Sequence, residues 1–222
     1  MTITNIESID IDRLDIEVAY SELIIKKGDS LKFETNNNYI KFSEENNVLQ
    51  IKEKKHKLFS IDKNQKLIVY LPENIEFDNV KIITGAGRVN IDELKTERLV
   101  FELGAGEAEI KKLDVTSDCE IEGGAGKLSI QSGNINDLNL DMGVGKINLN
   151  TILTGKNDIN AGVGNLNINL QNSKENYTIK TEKGIGNIKI DGIEISDEEL
   201  YSNGPNHIDI EGGIGNIKVD FE

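Results

Sequence analysis

A Gly-x-Gly triplet recurs seven times from Gly85 onward in this 222-residue chain. The copies are Gly85-Ala86-Gly87, Gly104-Ala105-Gly106, Gly124-Ala125-Gly126, Gly143-Val144-Gly145, Gly162-Val163-Gly164, Gly184-Ile185-Gly186 and Gly213-Ile214-Gly215. They are spaced by 19, 20, 19, 19, 22 and 29 residues. The middle residue is always Ala, Val or Ile, and a polar-apolar-polar-aliphatic run follows, from Arg88-Val89-Asn90-Ile91 to Asn216-Ile217-Lys218-Val219. A unit this short cannot bury an apolar face alone, so the copies must stack on one another.

Upstream of each triplet, the positions one, three and five residues before the first Gly are mostly apolar, as in Leu99, Phe101 and Leu103 or Leu138, Leu140 and Met142. That is the period of a strand with one buried face. The middle residue of the triplet is expected to continue this inward set, whereas the following pair, such as Val89 and Ile91, has the opposite parity. The chain must therefore bend at the triplet, and its second Gly is expected to be the corner. A turn and often a further aliphatic residue (Leu94, Leu113, Ile152, Ile193) then close the coil.

Stacked coils pair each strand with its equivalent in the next coil. The expected fold is therefore all-β, a single-stranded parallel β-helix (β-solenoid) with coils of about 19–20 residues. The Leu-x-x-Leu-x-Leu-x-x-Asn pattern of leucine-rich repeats is missing. One elongated domain is expected over 1–222: irregular N-terminal capping coils in 1–78, then seven glycine coils in 79–222 with an insertion loop at 191–206. In that loop, Ser196-Asp197-Glu198-Glu199 reads as a capping box opening one helical turn. In the first part, alternation predicts strands at Ile6–Ile11, Leu14–Val18, Leu31–Phe33, Val48–Ile51 and Leu67–Tyr70, with turns near Gly28-Asp29 and Asn36–Asn38.

Charge excludes several functions. With 25 Lys+Arg against 39 Asp+Glu the formal charge is −14, and the one basic cluster, Lys52 to Lys57, is interrupted by Glu53. Nucleic acid is not expected as a partner. No run approaches the roughly 18 apolar residues of a membrane helix, so no direct membrane insertion is expected. The first twenty residues, with Asp10, Asp12, Arg13 and Asp15, show no apolar core of a secretory signal. One cysteine, Cys119, and two separated histidines, His56 and His207, give no disulfide, no zinc spacing and no Cys-His pair. The expectation is no cofactor, no metal and no catalytic residue. The triplets lack the third Gly and helix of a dinucleotide loop. Leu128 and Ile217 stand where a calcium-roll nonapeptide needs Asp.

The alternating N-terminal strands, Leu71-Pro72 before the repeats, and then GAGRVNIDEL, GAGEAEIKKL, GGAGKLSI and GVGKINL resemble the bacterial putative-adhesin family of domains of unknown function, related to GIN-type adhesin-head domains. The resemblance covers nearly the whole chain. It implies a right-handed β-helix, association with the cell envelope or its stress regulators, an envelope or extracellular location, and no established activity.

One outward column invites a functional reading. Two residues before each triplet stand Ile83, Glu102, Glu122, Asp141, Asn160, Glu182 and Glu211. Stacked coils would bring these side chains about 4.8 Å apart. Such a stripe is either a solvated face that keeps the solenoid soluble or a binding strip for divalent cations or a basic partner. A second column, Arg88, Glu107, Lys127, Lys146, Asn165, Asn187 and Asn216, is expected to form structural charge and amide ladders. The leading expectation is thus a non-catalytic scaffold or adhesin-like binding module with a flat acidic surface, its partner a protein or surface polymer. The alternatives are an intracellular regulatory partner-binding module and a polysaccharide-active β-helix enzyme. The last is disfavoured by the absence of Trp and by how few long insertions could wall a cleft.

Overall fold

Alternating aliphatic residues put most of the chain into strands. The computed structural model describes residues 1–7, 10–54, 64–195 and 200–222. The basic cluster beyond Lys54, with His56, and the capping box at 196–199 lie outside the described residues. The strands are β1 (Thr2–Asn5), β2 (Arg13–Val18), β3 (Glu22–Gly28), β4 (Lys32–Thr35), β5 (Ile40–Glu45), β6 (Val48–Glu53), β7 (Lys66–Pro72) and β8 (Phe77–Ile130). They continue with β9 (Asn134–Asn136), β10 (Leu138–Thr154), β11 (Lys156–Leu170), β12 (Tyr177–Ile190), β13 (Ile193–Glu194), β14 (Leu200–Tyr201) and β15 (Asn206–Phe221).

The long strands are bent coils. β10 lies parallel on β8, from Leu138 opposite Cys119 to Leu149 opposite Ile130, and β11 lies parallel on β10 with a 19-residue offset, Asn139 opposite Asp158. Like therefore stacks on like: Leu128, Ile147, Leu166, Ile217 and Ile188 form one buried column through five coils. Each such side chain contributes on the order of 1.5–3 kcal/mol by leaving water. The fold is the expected all-β parallel solenoid. The wall that closes each coil departs in detail from expectation. Leu153, not Ile152, points inward over Ile135, and Ile193 is exposed on β13 while Ile195 takes the buried place.

At the corners, the second Gly of six triplets has φ between +145° and +154°, a region closed to side-chain-bearing residues. The corner turns the middle residue outward, not inward as expected. Val144, Val163, Ile214 and Ile185 are 52%, 45%, 53% and 71% exposed. Four successive residues, from the first Gly to the residue after the second, leave the core before alternation resumes, so the parity carried from the preceding strand is reset.

Coils do not stack in chain order at either end. β15 is inserted between β11 and β12: Asn160 faces Glu211, which faces Glu182. The 191–206 stretch supplies two short strands, β13 and β14, both antiparallel to β12, and then returns the chain to the vacant ladder of β11. Tyr177, Phe221 and Tyr201 gather at this end with ring centroids 6.1 Å apart in each successive pair. At the other end, β2 and β3 form the coil beneath the first glycine coil, pairing with 79–84 and 89–91 of β8. β6 and β7 then pair with β2 and β3 from below, and β5, β4 and β1 cover them antiparallel. β3 and β5 escaped the sequence reading because their apolar residues do not alternate cleanly; the strand expected at Ile6–Ile11 lies partly outside the described residues, and β1 precedes it.

Candidate functional site

The acidic column is built by the strand that precedes each corner. In β8, β10, β11 and β15 the residue before the first Gly is a buried side chain, such as Leu103 or Met142, or a small residue, Gly123, Ala161 or Gly212, and the residue before that points to solvent. Register aligns Glu122 with Asp141, Asp141 with Asn160, Asn160 with Glu211, and Glu211 with Glu182. The spatial order at the far end is thus the reverse of the chain order.

Beside this column the corner leaves a groove. It has a volume of about 590 Å³, with Glu102, Glu122 and Asp141 on its rim and Leu103, Met142 and the first glycines, Gly104, Gly124 and Gly143, along its floor. The floor is low because those glycines carry no side chain, and none could be added. A Cβ on Gly124 would sit 2.4 Å from the Gly104 carbonyl oxygen, and one on Gly143 2.7 Å from that of Gly124. Asn160 also lines the groove, whereas Glu211 and Glu182 continue the column beyond it.

Part of the column's charge is met locally. Lys81 lies 3.6 Å from Glu102, Lys180 2.6 Å from Glu182, and the Asn160 side-chain amide donates to Asp141 at 2.8 Å. Among the described residues, no three His, Cys, Asp or Glu side chains come together in a group that could hold a metal ion.

The second column forms the ladders expected of it. Glu107 is paired with Arg88 at 3.9 Å below and Lys127 at 2.9 Å above, and the Lys127 hydrogen bond holds its carboxyl below the usual range. Asn216 donates to Asn165 at 3.2 Å. Further amide rungs join Asn167 to Asn148 at 2.9 Å and Asn169 to Asn150 at 3.0 Å. Glu93 ties three coils together, bonded to Lys112 at 2.8 Å and to Lys27 at 2.6 Å. These two bonds, that to Lys112 first, lower its pKa.

One buried group was missed by sequence reading. Glu53 sits where the first coil turns at Ala19-Tyr20-Ser21, and its Oε2 accepts the main-chain N–H of all three at 2.9, 3.0 and 3.2 Å. Its Oε1 accepts from Asn37 Nδ2 at 2.8 Å. A carboxylate thus secures a coil corner that has no glycine triplet. In sequence it stood out only as the acid that interrupts a basic cluster. Cys119 is fully buried and its thiol pKa is pushed up by desolvation, so it is a core residue; His207 is exposed.

A stacked parallel solenoid with a repeating glycine corner defines the class. The chain belongs to the Toastrack DUF4097 family, whose family model matches residues 6–198. A "putative adhesin" of Bacteroides fragilis NCTC 9343 is similar in fold at 12% identity and a TM-score of 0.56, over 98% of this chain and 96% of that one. A "putative cell adhesion protein" of Clostridium sporogenes ATCC 15579 shares 17% identity over 100% of this chain and 98% of that one, with a TM-score of 0.40. A "putative adhesin" of Parabacteroides distasonis ATCC 8503 shares 15% over 100% and 96%, with a TM-score of 0.34. Of these three, the Bacteroides structure alone bears on the architecture. No functionally curated protein matches this chain.

Proposed function

We propose that this chain is a non-catalytic, adhesin-like scaffold of the bacterial cell envelope that uses its acidic groove to bind a basic segment of a protein or surface polymer. The observation that carries the reading is the row of Glu102, Glu122 and Asp141 along an open, apolar-floored groove. Carboxylates held in register present a repeating anionic edge, and the glycine floor lets an extended chain approach the backbone. Spread along a line, the carboxylates suit a row of ammonium or guanidinium groups better than one ion. The similarly folded Bacteroides protein, described as a "putative adhesin", supports the scaffold role.

The test is binding of a fluorescent oligolysine peptide at moderate salt to the wild type, to E102Q/E122Q/D141N and to a charge-matched control, E7Q/E97Q/E194Q. The expected result is a loss of at least tenfold in affinity for the groove variant with the control near wild type. Equal losses would reduce the interaction to net charge and overturn the reading. Protease added to intact cells tests the envelope assignment; a protein found only in the cytosol would overturn that part.

A further inference from the structure

Among the described residues, the N-terminal cap leaves a six-residue strand with an open side: β5 pairs with β6 alone, and apart from Ile40 its residues are exposed, Phe42 to 47%. Lys41, Glu44 and Glu45 make no ion pair among the described residues. Phe42 packs edge-on against buried Phe33 at 5.2 Å, so an aromatic ring half-closes the end of the core and stays half in water.

The hydrogen-bonding parity of β5 can be read from its two ends. Asn46 and Asn47 have φ of 52° and 64°, the two-residue turn that makes the flanking pair, Glu45 and Val48, a bonded pair. At the other end the Lys54 N–H donates to the Tyr39 carbonyl at 3.0 Å. Lys41, Ser43 and Glu45 therefore direct their main-chain groups to β6, while Phe42 and Glu44 direct theirs outward.

We infer that β5 is a self-association edge, and that its occupant is β5 of a second copy of this chain, antiparallel about a twofold axis through Ser43. A twofold normal to the sheet keeps each side chain on its own face, so facing residue numbers must sum to an even value. Centred on Ser43, the pairing sets Lys41 opposite Glu45 of the second copy, and Glu45 opposite its Lys41, on one face. The outward groups of Phe42 and Glu44 then exchange hydrogen bonds with Glu44 and Phe42 of the second copy. The two Phe42 rings become diagonal neighbours over the open core end, within aromatic reach. Centring on Phe42 would instead place Lys41 opposite Ser43 and lose both ion pairs. Charges on an edge strand ordinarily keep it solitary; here their signs make one twofold register attractive. Among the described residues, the other strands with an open side that lie outside the coils lack this arrangement: β1 has no charged side chain, and β13 and β14 have two residues each.

Sedimentation velocity over a concentration series tests this. The wild type is expected to reach twice the chain mass. Lys41→Glu and Glu45→Lys each place like charges opposite one another and are expected to remain monomeric, with wild-type circular dichroism. An equimolar mixture of the two single variants restores both opposite-charge pairs and is expected to dimerise, as is the double variant K41E/E45K. Misfolded single variants could not be rescued by mixing. A wild type that stays monomeric throughout, or dimerisation indifferent to these charges, overturns the proposal.

Discussion

Glycine at the corner is required by two separable effects, and three substitutions measure them. At Gly145, φ is +149° and an added Cβ would lie 1.8 Å from the Gly126 carbonyl oxygen of the coil below. At Gly192, φ is +76° and nothing lies within 4 Å, so only backbone strain acts. At Gly87, φ falls outside the left-handed range and the nearest atom, the Ser21 carbonyl oxygen, is at an ordinary 3.5 Å. Gly192→Ala should therefore cost about 1–2 kcal/mol, the usual penalty for an L-residue in that region. Gly145→Ala adds strain of about 1–3 kcal/mol to an overlap with backbone that only separating two coils can relieve, at the loss of further ladder hydrogen bonds worth roughly 1 kcal/mol each. A total of about 3 kcal/mol or more is expected. Gly87→Ala should be near neutral or slightly stabilising, by up to about 1 kcal/mol, through the unfolded chain. Urea denaturation followed by circular dichroism at the strand band ranks the three. A Gly145→Ala midpoint no lower than that of Gly192→Ala would refute the claim that coil stacking, and not turn conformation alone, demands this glycine.

Two further substitutions probe charge that the fold has placed inside or between coils. Glu53→Ala leaves the N–H groups of Ala19, Tyr20 and Ser21 without their acceptor, so a loss of about 3 kcal/mol or more is expected, while Glu53→Gln, which keeps one oxygen, should lose less; equal midpoints for the two variants would contradict this. Glu93 has a folded pKa below its ordinary 4.5, so the stability it contributes is fully present above that pH and is lost as pH falls through the lower folded value. In urea midpoints measured against pH, Glu93→Gln should be less stable than wild type at neutrality and converge on it in acid; parallel curves would show that the Lys27 and Lys112 bonds contribute nothing.

How much of this was legible in the sequence depends on the range of the determining interaction. The coil length, the inward aliphatics and the second glycine as corner follow from local spacing, because identical units can stack only in register. The same spacing set Glu102, Glu122, Asp141, Glu182 and Glu211 in one column before any coordinates. The orientation of Val144 or Ile185 was not legible, since a corner resets the alternation and its width is a property of backbone torsion. Nor was the position of β15: its triplet suits the surface of any other, and the choice of β11 over β12 as its lower neighbour lies in the returning segment. Glu53 was hidden because its ligands are three N–H groups more than thirty residues away, which no pattern of side chains announces.

The displaced coils give the stack a property that repetition alone would not. In a simple solenoid the first and last coils each have one bare ladder, so they fray first and open the rest in sequence. Here the coil of β2 and β3 lies between β6–β7 and β8, and β15 lies between β11 and β12, so each is hydrogen-bonded on both sides. Outside these coils the chain adds antiparallel strands drawn mostly from between coils: β1, β4 and β5 over β6–β7, and β13 and β14 over the two ends of β12. Tension entering through the backbone of β15 must shear two ladders at once before any coil can peel away. For a scaffold that holds a partner along its side, this keeps the groove-forming coils in register under load, and it does so with hydrogen bonds the fold already makes.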